Sequence, residues 1–288
     1  MRCTGHHKAL VHINPLTREN VSSPQVVFVT GVSSGIGRAT AVQFVQRGCK
    51  VFGSVRNASK AEAIPGVEFV EMDVRDAESI KRAVDLIIGK AQRIDVLVNS
   101  AGGTMLGAVE ETSVAEAQAL FDTNVFGTLR ATQAVLPHMR QQRSGRIINV
   151  SSVLGFLPAP YMGLYSASKH AIEGMSETLD HEVRNFGIRV VLVEPSYTKT
   201  NLDLNAPQAA NLLSAYDADR DRVSKAIVRS VQKAPGPDSV ATTIVDAATS
   251  AWAMRRTPKG EASLLRKLRR FMPAGPVDGS LRKTFGLG

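Results

Sequence analysis

From residue 25 onward the chain alternates short β-branched runs with longer stretches whose apolar residues recur at helical spacing. The runs are "VVFVT" (26–30), "VFGSV" (51–55), "VEFVEM" (67–72), "IDVLVN" (94–99), "RIINVSS" (146–152) and "IRVVLVEP" (188–195). They are nearly continuous rather than alternating, which is what strands buried on both faces require. Between them the spacing predicts helices over 36–48, 76–92, 113–138 and 162–186. Repeated strand, helix, strand is the pattern of βαβ units, so the expected fold is α/β, a parallel sheet covered by helices on both faces. No internal repeat and no Pro-, Gly- or Ser-rich linker interrupts it, and residues 25–288 are expected to form a single domain.

Two regions break the rhythm. Residues 1–24 are polar without periodicity, and a flexible tail is expected there. After the sixth run comes "PSYTKTNLDLNAPQAANLLSAY", a long non-repeating segment of the kind that covers binding sites, so a substrate lid is expected over about 196–218. Its side chains Tyr197, Leu202, Leu204, Leu212, Leu213 and Tyr216 are more apolar than a sugar site needs. They suggest a hydrophobic alcohol or ketone as substrate, or else simply pack the lid.

Composition narrows the compartment and the partners. The 288 residues, 43% of them hydrophobic, suffice for a sizeable core. Two cysteines, Cys3 and Cys49, are too few for a disulfide framework and point to a reduced compartment. No apolar run approaches the roughly 20 residues that span a bilayer, and the start "MRCTGHHKALVHINPLTREN" lacks the apolar stretch of a secretory signal. A soluble, cytoplasmic protein is the expectation. Of the net charge of +9, residues 251–288 carry +7, nine Lys/Arg against two acids. The body is nearly neutral and no base-reading element is visible, so no nucleic-acid partner is expected. In "LLRKLRRFM" (264–272), Leu264, Leu265, Leu268, Phe271 and Met272 share one helical face, with Arg266, Lys267, Arg269 and Arg270 largely opposite. Such a helix packs its apolar face on the protein or lies on an anionic membrane surface, so a peripheral membrane contact through 261–272 stays open.

The candidate chemistry begins in "VVFVTGVSSGIGRAT". Gly31, Gly35 and Gly37, with Ser33 and Ile36 in the same turn, follow the first strand directly and open a helix. Glycine lets backbone approach a pyrophosphate, and a helix N-terminus offers free N–H groups and a favourable dipole. The bland alternative is a strand-to-helix turn with glycines for geometry alone. At the end of the second strand an acid would hold a ribose 2′-hydroxyl, whereas a base accommodates a 2′-phosphate. Here "VFGSVRN" has no acid and ends in Arg56 and Asn57, with Arg38 in the first helix turn, which favours NADP(H) over NAD(H). The alternative for Arg56 is a solvated loop charge.

"YSASK" sets Tyr165 and Lys169 one helical turn apart, on the same face. A free phenol titrates near 10, and a nearby ammonium favours phenolate and lowers that value. On its own the pair would be a surface pair. Ser152 ends the fifth strand, at the edge where open α/β sheets place ligands; its hydroxyl either stabilises a developing alkoxide or caps the following turn. Nothing among the six histidines and two cysteines has metal-ligand spacing, and no metal is expected.

With the glycine turn, "NSAG" (99–102), "NVSS" (149–152) and Tyr165/Lys169 in this order, the chain resembles the short-chain dehydrogenase/reductase family, strongly over about 25–200. The TGxxxGIG spacing is similar to that family's shorter branch. The resemblance implies a Rossmann-type doubly wound parallel sheet of about seven strands in one domain, and an oxidoreductase that interconverts an alcohol and a carbonyl with NAD(P). By position it makes Ser152 the serine that orients the carbonyl, Tyr165 and Lys169 the catalytic pair, and Asn124 in "DTNVFG" the structural and proton-relay asparagine. Lys169 would also grip the nicotinamide ribose. Around the dinucleotide it places Asp73 and Val74 of "MDV" at the adenine, Asn99 with Ala101 and Gly102 by the adenosine ribose, and Pro195 with Thr198 or Thr200 at the nicotinamide. Two positions depart from the family: "NNAG" is "NSAG" here, and "PG" is "PS" at Pro195 and Ser196. The resemblance also implies a homodimer or homotetramer built on helices 113–138 and 162–186. A catalytically silent dinucleotide-binding module is the other reading, and the intact Ser152, Tyr165 and Lys169 speak against it.

Overall fold

In the computed structural model, which describes residues 24–271 and 273–287, the six apolar runs become parallel strands of one sheet. These are β1 (Val26–Val29), β2 (Lys50–Val55), β3 (Val67–Glu71), β4 (Val96–Asn99), β5 (Gly145–Val150) and β6 (Ile188–Val193). A seventh, β7 (Arg255–Arg256), joins β6 at the edge, giving the order β3-β2-β1-β4-β5-β6-β7. The apolar pattern misses β7 because it is two arginines long and is defined only by its pairing. The expected tail 1–24 lies outside the described residues except for Pro24, as does Met272.

The strands are apolar throughout because each face meets helices. Val26 and Phe28 of β1, Leu97 of β4 and Ile147 of β5 join one core with α2 (Ala77–Ala91), α4 (Gly127–Gln142) and the end of α5 (Gly163–Val183). Val27 and Val29, Val96 and Val98, and Ile148 point the other way, to α1 (Gly35–Gln46) and α8 (Asp238–Thr249). At about 25 cal/mol per Å² of apolar surface removed from water, this two-sided burial is the main drive for the fold.

The helix expected over 113–138 is two, α3 (Val114–Phe121) and α4, joined by a π turn at Asp122–Phe126. Ser113 and Glu116 cap α3 reciprocally, which fixes its start. The segment 196–218 holds the short helix α6 (Asn201–Leu204) and runs into α7 (Asp217–Lys233). It is pinned midway, where Leu106 bridges Gln208 and Glu111 accepts from the Leu213 amide at 2.9 Å. Leu202, Leu204, Leu212 and Leu213 are exposed, whereas Tyr197 packs with Tyr165.

At the C-terminal side, α9 (Glu261–Phe271) packs Ala262 and Leu265 against Val153 and Leu157, with Leu264 56% and Leu268 40% exposed. The apolar face is thus split between packing and solvent. α10 (Ala274–Phe285) inserts Phe285 beside α7. Trp252 lies under the Arg189 guanidinium, 3.5 Å from carbon to ring centroid, and its indole donates to the Val190 carbonyl at 2.9 Å. Among the described residues no helix is long and apolar enough to cross a membrane.

Candidate active site

The winding of the sheet reverses between β1 and β4, and the crevice beyond their C-terminal ends is where such sheets place ligands. Thr30 ends β1 with its hydroxyl accepting from the amides of Ser100 and Ala101, both at 3.0 Å, which draws the β4 turn close. Gly31 adopts φ +75°, and a Cβ there would meet Ala101 Cα at 2.8 Å. A Cβ on Gly37 would collide with the Gly31 carbonyl oxygen. Gly35 likewise has a positive φ, +58°. No side chain caps the N-terminus of α1 at Ser34, and no acid lies in its first turn. This bare helix end set in a glycine cradle fits a pyrophosphate.

A cleft of about 570 Å³ runs from that cradle along the sheet edge. Gly31, Ser33, Gly35, Ile36 and Gly37 line one part of it, Arg56, Asp73 and Val74 another, and Ala101 and Gly102 its wall. Ser152, Tyr165, Lys169, Pro195, Thr198 and Thr200 complete it. Arg56 is exposed at the rim. Arg75, which the sequence did not single out, donates to the Asp73 carboxylate at 2.6 Å and holds it below the usual carboxylate range. Arg38 instead turns to Glu62, at 3.3 Å, and does not line the cleft. Ser54 of β2 was also missed; its hydroxyl accepts from the Gly31 amide at 3.1 Å.

Two expected site residues stand behind the wall. Asn99 donates to Asn149 at 2.8 Å and Thr132 at 3.2 Å, and Asn149 donates in turn to Ser176 at 2.8 Å, a buried ladder tying β4 and β5 to α4 and α5. Asn124, in the π turn, accepts from the Gly103 amide at 2.8 Å and donates to the Gly103 carbonyl and Ser168 hydroxyl, both at 3.0 Å. Its own carbonyl accepts from Thr128 at 2.8 Å. Both asparagines shape the cleft without bordering it.

α5 carries Tyr165 and Lys169 into the cleft floor, where they are 7% and 8% exposed. The Lys169 ammonium donates to the Val150 carbonyl at 2.9 Å and lies 5.7 Å from the Tyr165 ring centroid. Ser152 caps the following turn, its oxygen accepting from the Leu154 amide at 3.1 Å, and its hydroxyl also bonds the Tyr165 phenol. The expected lowering of the phenol is reversed. Burial, helped by the Asp203 carboxylate, pushes the Tyr165 phenol above its ordinary value against the Ser152 bond. Burial also pushes Lys169 down to about 8, opposed by Glu173. Burial outweighs the Ser152 bond at the phenol, so Tyr165 keeps its proton.

Behind Lys169, Glu173 is held by Arg255 of β7 at 2.9 Å, and the same guanidinium reaches Glu177 at 2.6 Å and Glu194 at 3.1 Å. Burial raises both Glu173, to about 7, and Glu194. The arrangement offers a proton-holding phenol, a hydroxyl to orient a carbonyl and a cationic group beside them, all at one part of a dinucleotide-shaped cleft.

The profile of the short chain dehydrogenase family matches residues 25–211. The 3-ketodihydrosphingosine reductase of Bacteroides thetaiotaomicron is 43% identical over 182 residues, 63% of this chain and 67% of that protein. A solved short-chain dehydrogenase from Streptomyces avermitilis is similar at TM-score 0.77 and 34% identity, over 91% of this chain and 96% of its own. A Burkholderia phymatum short chain dehydrogenase/reductase solved with NAD gives 0.72 and 26%, over 85% and 92%. ElxO solved with NADP gives 0.69 and 27%, over 82% and 97%.

Proposed function

The chain belongs to the short-chain dehydrogenase/reductase family and is an oxidoreductase that interconverts an alcohol and a carbonyl with a nicotinamide dinucleotide; on that premise we propose that it uses NADP(H) and acts on a hydrophobic substrate. The observation that carries the reading is the burial of Ser152, Tyr165 and Lys169 together in the cleft that the glycine cradle opens.

The residues fit the dinucleotide, which when bound supplies or accepts the hydride. Backbone at Gly31, Gly35 and Gly37 holds the pyrophosphate. Arg56 and Arg75 line the cleft where they would meet a 2′-phosphate, the feature that favours NADP(H). Lys169 would bind the ribose hydroxyls, and Pro195, Thr198 and Thr200, which line the same cleft, would hold the nicotinamide. Ser152 orients the substrate oxygen, and Tyr165 donates its proton to that oxygen in reduction or withdraws it in oxidation. Asn99 and Asn124 act as positioning residues, through β5 and α5. Residues 25–288 work as one catalytic domain in the cytoplasm, with 196–218 as the cover, and two or four copies associate along α3–α4 and α5. The reductase of a ketosphingosine among its relatives supports a lipid-like carbonyl.

A panel of carbonyls and alcohols, followed by nicotinamide absorbance with both cofactors, tests this. NADPH-dependent reduction of apolar ketones is expected. Equal use of NADH overturns the cofactor preference, and tight NADPH binding without turnover of any substrate favours the silent-module reading. Light scattering checks the assembly, where a monomer overturns it.

A further inference from the structure

Asp203 is the only acid between Glu194 and Asp217. It lies on α6, half-buried, and it is the one residue to line both the main cleft and a second cavity of about 110 Å³. Among the described residues its carboxylate meets no cation and no hydrogen-bond donor. Of the cleft's own cations, Arg75 is engaged on Asp73, Lys169 on the Val150 carbonyl, and Arg56 stands exposed at the rim without an ion pair to Asp203. Yet the charge of Asp203 reaches the phenols of Tyr165 and Tyr197, raising both beyond the effect of burial. A carboxylate withdrawn from water without a partner is costly. Such a group at the edge of a reaction site is stabilised when the ligand brings the missing cation.

We propose that Asp203 docks an ammonium group of the substrate, so that the site takes an amino ketone and its amino alcohol, with the oxygen at Ser152 and Tyr165. This rests on the oxidoreductase reading above. The first part of the apolar remainder enters the second cavity, about 110 Å³, where Leu106, Met162, Leu204, Ile227 and Val228 stand beside Gln208 and Ser224. A cation near Asp203 has another source, the positively charged ring of an oxidised nicotinamide. The geometry favours the substrate, because Asp203 borders the second cavity and none of Pro195, Thr198 and Thr200, the residues assigned to the nicotinamide, does.

The test uses the full chain with NADPH and a matched pair of long-chain ketones, one with an α-ammonium group and one with an α-hydroxyl in its place. The native protein is expected to favour the amine in kcat/KM by about 10- to 100-fold, the worth of a hydrogen bond to a charged group. Asp203→Asn is expected to bring that ratio toward one, chiefly through the KM of the amine, with NADP+ and NADPH affinities in their native ratio. Turnover of both ketones without an amine preference overturns the inference alone. A selective loss of NADP+ affinity in Asp203→Asn, with the amine preference intact, overturns it by assigning the carboxylate to the nicotinamide. Failure to reduce any ketone overturns the oxidoreductase reading instead. The native comparison needs no variant, so the inference stays testable if Asp203→Asn folds poorly.

Discussion

At the glycine cradle of the cleft the surface is backbone: three glycines, an uncapped helix end and amides fixed by Thr30 and Ser54. At the substrate end it is side chains whose charge depends on burial: Tyr165, Lys169 and Asp203. The first end is held by sterics and changes only if the chain moves. The second is held by desolvation, so its proton inventory shifts with pH, with ligand and with single substitutions. Binding and chemistry should therefore separate under mutation.

The sharpest separation is Tyr165→Phe. Turnover is expected to fall about 10²- to 10⁴-fold, the worth of a general acid, while NADPH binding measured by fluorescence is kept. Retained turnover would move the chemistry off this residue. Gly37→Ala is the converse, since the added methyl meets the Gly31 carbonyl. It is expected to cost about 1–3 kcal/mol of stability, read as a lower melting temperature and weakened NADPH binding. An unchanged melting curve would show that the cradle yields easily.

The protonation of the substrate end gives the next test. Lys169 sits at about 8 in the folded protein, below its usual value, so its ammonium is lost there as pH rises through about 8. kcat/KM is expected to decline above that pH, and a profile level to about pH 10 would remove Lys169 from the titrating groups. Arg56→Ala is expected to narrow the NADPH over NADH preference by about tenfold, and an unchanged ratio would assign that preference to Arg75. The smallest effect concerns stability. Glu173 is raised to about 7, so the folded protein holds that proton more tightly than the unfolded chain does. Its stabilising share is present at pH below the ordinary carboxylate value and is lost as pH rises through about 7. Glu173→Gln is expected to flatten the fall of melting temperature over that range, and an identical slope would point to Glu194.

Much of the first end was legible in the sequence. Strands buried on both faces must be apolar throughout, so β1 to β6 appear as runs, and glycine at a forced close approach cannot be disguised. β7 was invisible because two half-buried arginines resemble any loop. The π turn at Asp122–Phe126 keeps helical periodicity on both sides, so nothing in the spacing marks it. Asn99 and Asn124 were found by motif, but only geometry shows them facing the sheet and α5 rather than the cleft. The direction of the Tyr165 shift depends on how deeply two neighbours are buried, which a spacing of four residues does not encode. Asp203 left a faint mark, the only acid between Glu194 and Asp217.

Trp252 is the single tryptophan of the chain, and it is clamped between Arg189 and the Val190 carbonyl at the outer edge of the sheet. The protein therefore carries a built-in optical label for one event, the docking of its C-terminal third onto β6. Indole emission followed during denaturation would time the release of that edge separately from loss of the central sheet, without any dye or tag.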